Sequence, residues 1–342
     1  MATFQDWFLR GGSYTRVVQK VLITGGAGFI GSHLAEALVA AGKEVAVLDD
    51  LSTGSLDNLT ALRKHKQFQF TEGSVQNEAV VTRLVAKADF VYHLAAAVGV
   101  ELVVRRPVHT LEDNVRGTEN VLAAASRHGT GVLLTSTSEV YGKSEKASFS
   151  EDDDLLIGPP KFARWGYACS KLLDEFLALA YQHEKQLPVY IVRLFNTVGP
   201  RQTGRYGMVV PRFVQAAVRG EPIVIHGDGK QSRCFCHVSD VVRALVNLPG
   251  YPQAVGQIYN IGSTEEVTIQ ELAERVKQFT KSRSELQFVP YDEVYAKDFE
   301  DMRRRVPSIE KIRLLTGWQP TKSLDEIIRR TVEYARSEDA GR

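Results

Sequence analysis

The sequence is short of cysteine, of net charge and of long apolar runs. Three cysteines in 342 residues, Cys169, Cys234 and Cys236, are too few for a disulfide framework. Cys234-Phe235-Cys236 has no second pair at metal-ligand spacing, so a reducing compartment and no bound metal are expected. The chain has 42 Lys and Arg against 41 Asp and Glu, a formal net charge of +1, so no overall field draws it toward nucleic acid or a membrane surface. No stretch reaches the roughly 18 apolar residues of a membrane span, and the opening MATFQDWFLRGGSYTRVVQK holds no continuous apolar segment of the signal-peptide kind. A cytoplasmic protein without nucleic-acid or membrane partners is the expectation. With 44% hydrophobic residues the chain can bury a sizeable core, and its length exceeds the roughly 100–200 residues of one domain, which favours two lobes.

What is present is an alternation of strands and helices. Residues 17–24 are an apolar run ending at Gly25, and residues 29–41 carry apolar side chains at helical spacing before Gly42, which reads as strand, tight turn, helix, stop. Further strands are expected at 44–48, 68–71, 88–94 and 131–135 with helices between them. A helix at 167–185 and a strand at 189–195 continue the pattern. Such alternation implies an α/β chain with a doubly wound parallel sheet covered on both faces. From Asn196 to about His237 the chain is rich in Gly, Pro and Arg; a helix at 239–248 and a strand at 257–261 then return to the first pattern. Residues 268–336 read as helical and charged, with an irregular stretch at 289–307. The expected organisation is a nucleotide-binding domain of residues 18–195, rejoined by 236–261, and a smaller, interleaved C-terminal α/β lobe of residues 196–235 and 262–336 that takes the substrate.

Gly25-Gly26-Ala27-Gly28-Phe29-Ile30-Gly31 lies between the first strand and the first helix and reads as G-x-G-x-x-G. Glycines there permit the tight turn and bring the backbone close to a pyrophosphate seated on the positive end of the helix, the Rossmann arrangement. Asp49, at the end of the second strand, stands where a carboxylate accepts from a ribose 2′-hydroxyl and repels a 2′-phosphate, so NAD is expected over NADP. Ser74 and Val75 follow the third strand and bracket the adenine. Leu94, Ala95 and Ala96 end the fourth strand with small side chains that leave room for a flat ligand, and His93 before them reads as a packing residue.

Tyr167 and Lys171 stand four residues apart on one helix face. A nearby cation favours the phenolate, so the tyrosine can serve as a general base closer to neutral pH than a free phenol. Thr137, Ser138 and Glu139 leave the fifth strand at its carboxyl end, where open α/β sheets bind ligands. The two hydroxyls can hold a substrate hydroxyl, and Glu139 offers a carboxylate for acid, base or electrostatic work.

With these motifs in this order the chain resembles the extended short-chain dehydrogenase/reductases, the nucleotide-sugar epimerases, dehydratases and decarboxylases, over about residues 18–328. The resemblance implies a catalytic set of Thr137, Tyr167 and Lys171 beside NAD, with Asn114 among the cofactor residues. Arg193-Leu194-Phe195-Asn196 looks like the segment whose asparagine contacts a sugar-nucleotide diphosphate. Gly227-Asp228-Gly229-Lys230-Gln231-Ser232-Arg233 resembles the segment whose arginine meets it, a UDP-sugar being the favoured substrate. It further implies a homodimer through helices near 112–128 and 167–185.

All such enzymes start by oxidising the sugar at C4. The dehydratases carry an aspartate where this chain has Ser138, which counts against dehydration. The string Ser136-Thr137-Ser138-Glu139-Val140-Tyr141-Gly142 matches the UDP-glucuronate decarboxylases, as do Arg164-Trp165-Gly166-Tyr167 and Arg305-Val306-Pro307-Ser308. In those enzymes the arginine at the position of Arg305 lies by the substrate carboxylate or acts as an acid. The loop at 97–107 lacks the tyrosine those decarboxylases use and is closer to epimerases. The expected reaction is decarboxylation of UDP-glucuronate to UDP-xylose, ahead of 4-epimerisation of a UDP-hexose or UDP-hexuronate. A 4,6-dehydratase ranks next, and a non-catalytic sugar-nucleotide binder last.

Overall fold

The computed structural model describes residues 18–98, 106–204, 208–294 and 302–340. The start of the first expected strand at Val17 and most of the loop at 97–107 lie outside them. In chain order the elements begin β1 (Lys20–Thr24), α1 (Phe29–Ala40), β2 (Glu44–Asp49), β3 (Phe68–Glu72), α2 (Glu78–Val85), β4 (Phe90–His93), α3 (Pro107–His128), β5 (Gly131–Thr137), α4 (Ala163–Lys185) and β6 (Val189–Leu194). The second half adds β7 (Thr197–Val198), α5 (Val209–Arg219), β8 (Ile223–His226), β9 (Ser232–Cys234), β10 (Cys236–His237), α6 (Val238–Asn247), β11 (Gln257–Ile261), β12 (Glu266–Thr268), α7 (Ile269–Thr280), β13 (Leu286–Val289), α8 (Tyr291–Val294), β14 (Arg304–Arg305), α9 (Glu310–Thr316) and α10 (Leu324–Ala340).

Seven strands form one sheet in the order β11-β6-β5-β4-β1-β2-β3, and every pairing in it is parallel. Side chains alternate across it. Val21, Ile23, Val47 and Leu133 pack into a core shared with α1 and α6, while Leu22, Leu48, Val91 and Leu134 pack into a second core shared with α2, α3 and α4. The sheet is therefore apolar on both faces, which a parallel sheet requires. The reversal of strand order falls between β1 and β4, and ligands of such sheets bind outside the carboxyl ends at that point.

Beyond this sheet the described residues form three small sheets, β10-β7, β12-β9-β14 and β13-β8. A separate core contains Val210, Phe213, Val214 and Leu272. Helix α5 falls inside the stretch rich in Gly, Pro and Arg, for which no element is expected; its Val210, Phe213, Val214 and Ala217 are buried at helical spacing, a periodicity that the surrounding glycines and arginines dilute. Helix α4 begins at Ala163, a turn before the expected 167, because Trp165 is buried with Tyr141, Phe149 and Phe195 in a further apolar cluster. No helix among the described residues is long and apolar enough to cross a membrane.

Candidate active site

A cleft of about 1140 Å³ opens at the carboxyl ends of β1, β4, β5 and β6 and is also lined by Arg212, Arg233, Ile269, Tyr291 and Arg305 from the second half of the chain. At one end stands the glycine turn. Gly25 has φ of +73°, and a Cβ there would lie 2.7 Å from the Ala95 nitrogen; a Cβ on Gly31 would lie 2.2 Å from the Gly25 oxygen. Gly28 caps α1 without any side-chain hydrogen bond, so the first-turn N–H groups of the helix lie uncapped where Gly28, Phe29, Ile30 and Gly31 line the cleft. That is a phosphate cradle. Asp49 supports it from β2: Oδ2 accepts from Ala27 N at 2.9 Å and Oδ1 from Leu51 N at 2.8 Å. Burial pushes its carboxyl up, and these backbone bonds pull it back down.

Ser74, Val75, Leu94, Ala95 and Ala96 also line the cleft. Asn114 stands behind the wall: its Oδ1 accepts from Ala97 N at 2.8 Å and its Nδ2 donates to Ser170 Oγ at 3.2 Å, tying the wall to α4. His93 is buried between Thr24 Oγ1 at 2.7 Å and Thr118 Oγ1 at 3.2 Å, as a packing residue should be. Burial and the charge of Lys171 push it down to about 3, so the imidazole stays neutral.

At the other end β5 delivers Thr137, Ser138 and Glu139, and α4 delivers Arg164, Tyr167 and Lys171, all to the same cleft. Thr137 lies against the Tyr167 phenol and favours its ionised form. The ammonium of Lys171 lies 2.7 Å from Asp174 Oδ2, both side chains buried. The phenol is raised above its ordinary range, first by burial and next by Glu139, with Asp174 acting in the same sense and Thr137 and Arg305 against it. The spacing alone suggests a phenol lowered by the nearby cation; the buried Asp174 carboxylate offsets that cation.

Glu139 joins two arginines. Its Oε2 accepts from Arg164 Nε at 3.1 Å and Nη2 at 2.9 Å, and its Oε1 from Arg305 Nη1 at 2.5 Å. Arg305 Nε is buried without a hydrogen-bond partner among the described residues. Strand β14 sets Arg305 in register beside Arg233 of β9, and both reach the cleft with Asn196. Asn196 Nδ2 donates to Cys234 O at 2.9 Å, fixing the amide between β6 and β9.

A model of the GDP-mannose 4,6 dehydratase family matches residues 22–331. The chain belongs to this family. Within it, the chain is 40% identical over 326 residues to the UDP-N-acetyl-alpha-D-glucosaminuronate decarboxylase of Bacillus cytotoxicus, covering 93% of this chain and 98% of that protein. It is 38% identical over 319 residues to UDP-glucuronic acid decarboxylase 1 of Danio rerio, covering 92% and 72%. The UDP-glucuronic acid 4-epimerase of Bacillus cereus, solved with UDP-glucuronic acid and NAD, superposes with a TM-score of 0.84 at 28% identity, covering 94% of this chain and all of that one.

The chain is thus an enzyme of the extended short-chain dehydrogenase/reductases. Two residues take a place at the site that its motifs do not assign. Arg164 belongs to the string shared with the decarboxylases, which gives it no role; three residues before Tyr167, it is one helical turn away and on the same face, which is the signal that draws it into the site. Asp174 is likewise three residues after Lys171, but a carboxylate at that spacing is commonplace on helices, so only burial marks it out.

Proposed function

We propose that the protein is an NAD-dependent decarboxylase of a UDP-linked hexuronate, converting UDP-glucuronate to UDP-xylose. The observation that carries this reading is the placement of Arg164 and Arg305 around Glu139, beside Thr137 and Tyr167. Two guanidiniums against one carboxylate leave a net positive charge next to the reacting centre, and the Arg305 Nε supplies a further donor. A sugar carboxylate is suited to such a corner; an uncharged hydroxymethyl group is not. The decarboxylase relatives support the choice.

The residues present fit NAD: the uncapped first turn of α1 and the close approach that Gly25 and Gly31 allow suit its pyrophosphate, and Asp49 suits a ribose diol. NAD held there would supply the acceptor for the C4 hydride and, once reduced, its donor. Tyr167 removes the proton of the 4-hydroxyl, helped by Thr137, while Lys171 supplies the cation that favours the phenolate. The 4-ketone makes the sugar a β-keto acid, which releases carbon dioxide because the electron pair left behind is taken up as an enolate. Arg305 and Glu139 stand where C5 must regain a proton, and the charges around them stabilise the enolate. Ser138, Asn196 and Arg233 hold the sugar and diphosphate.

The test is incubation of the protein with UDP-glucuronate, with product NMR and a measurement of released carbon dioxide. Carbon dioxide and a UDP-pentose support the reading; a 4-epimer without gas overturns it in favour of epimerisation. A second substrate, the N-acetylated hexuronate, is favoured by the relative 40% identical over most of the chain; it shares the same decarboxylation and is compared in the same assay. Replacing Tyr167 by Phe should lower turnover by about 10²–10⁴-fold while sugar-nucleotide binding persists; unchanged behaviour would point to a binding protein.

We further propose a cytoplasmic homodimer. Helices α3 and α4 pack together and leave Val108, Leu111, Leu173 and Phe176 exposed, four large apolar side chains that a second copy of the pair would cover.

A further inference from the structure

Asp174, held against Lys171, is a part of the reacting centre that the motifs do not call for. A carboxylate this deep is costly unless a cation is held against it, and here the cation is the one the catalytic tyrosine also needs. Thr118 of α3 lies against Asp174 and favours its charged form, and it meets His93 Nε2, whose other nitrogen meets Thr24 of β1. A polar chain thus runs from Lys171 beneath the cofactor wall to the end of β1. The charged and titratable groups facing the pair are Tyr167 and Glu175 on α4 and His93 on β4, with Glu139 and Arg305 beyond Tyr167. His93 stays neutral, and Glu175 is engaged by Arg193. Asp174 is therefore the counter-charge to Lys171.

We propose that Asp174 is a positioning residue for the reaction: it holds the Lys171 ammonium in place and sets how readily Tyr167 becomes a base. The proposal rests on the reading of Tyr167 as the general base. With Asp174 charged, Lys171 is already neutralised, and loss of the phenol proton leaves a net negative charge in a buried site. With an uncharged amide at residue 174, the same loss leaves no net charge. The Tyr167–Lys171 pair, titrating as a unit, then gives up its first proton more easily. Asp174 thereby keeps the tyrosine protonated until substrate and cofactor add their own partners to the ammonium.

The experiment is the pH profile of kcat with UDP-glucuronate for the wild type, Asp174→Asn and Asp174→Glu, with NAD affinity and thermal melting alongside. The acid limb of Asp174→Asn should move down by about one pH unit, and that of Asp174→Glu should return toward the wild type. Thr118→Val approaches the same point from a neighbouring residue: Thr118 favours the charged carboxylate, so without it Asp174 holds less charge against Lys171 and the limb moves down, by less than in Asp174→Asn. This variant carries the test if Asp174→Asn fails to fold. Limbs that stay in place, or that move the opposite way, in folded variants overturn the proposal. Tyrosinate absorbance of each variant, minus that of its Tyr167→Phe counterpart, reads the same titration without substrate. A wild type that decarboxylates nothing overturns the functional reading alone, while an unmoved Tyr167 titration overturns the role of Asp174.

Discussion

Arg193 grips Glu175 through two parallel bonds, Nε to Oε1 at 3.0 Å and Nη2 to Oε2 at 2.8 Å, and both side chains are buried. The pair joins β6 to α4 one turn beyond Lys171, and Ser136 of β5 adds its hydroxyl to Glu175 Oε1 at 2.5 Å. The helix that carries Tyr167 is thus pinned to the strand that carries Thr137. Replacing Arg193 by Met leaves Glu175 charged and unpaired, and stability should fall by about 3–5 kcal/mol. Denaturant unfolding checks this; a loss below about 1 kcal/mol would place the pair with surface ion pairs.

Lys171→Met should impair turnover more at neutral than at alkaline pH. The ammonium favours the phenolate, so without it the folded-state pKa of Tyr167 rises and the active form is reached only at higher pH. The acid limb of the kcat profile therefore moves upward, opposite to the shift expected for Asp174→Asn. A uniform loss at every pH would argue that Lys171 only helps to bind the cofactor.

Glu139→Gln keeps the shape but removes the charge that two guanidiniums share. Loss of that charge also lets the Tyr167 phenol ionise more easily, so the first oxidation at C4 runs at least as fast, whereas decarboxylation and the return of the proton to C5 lose a group they use. Single-turnover absorbance should show NADH formed no more slowly than in the wild type and then persisting, with UDP-pentose release slowed by at least about tenfold. Unimpaired turnover would make Glu139 a bystander.

Phe176→Asp should give a monomer in sedimentation velocity at micromolar concentration, because Phe176 is 64% exposed in the single chain and a buried charge at a helix–helix interface is strongly unfavourable. A wild-type chain that sediments only as a monomer removes the proposed dimer.

Much of the seven-stranded sheet and its helices was legible because each strand and helix repeats one local pattern. The expected strand at 257–261 coincides with β11, and the helix at 239–248 is shifted by one residue from α6. The small sheets were less legible. Strands β7, β9, β10 and β14 have two or three residues each, too short for alternation to show, and they exist because tertiary pairing supplies what propensity does not. At the site, Gly25, Asp49, Thr137, Tyr167 and Lys171 belong to contiguous motifs. The union of Glu139 with Arg164 and Arg305 spans 166 residues of sequence at its widest and is visible only once β14 lies beside β9. Asn114 is reached only through the family resemblance, and its hydrogen bonds to Ala97 and Ser170 could not have been read from the sequence.

Strand β11 bears on the order in which the molecule is assembled. It is made after the 196–235 segment, yet it closes the outer edge of β6, where Asn260 pairs with Arg193. Asn260 is further fastened by Tyr141 Oη at 2.8 Å, by Phe149 O at 2.9 Å and, through its own N–H, by Glu151 Oε1 at 2.8 Å. During synthesis β6 leaves the ribosome with an open edge that stays open until the chain has grown past residue 261. An open parallel edge invites pairing with other chains, and contacts this distant in sequence form slowly. The nascent protein therefore passes through an interval of exposure that no choice of residues in the first 195 positions can shorten.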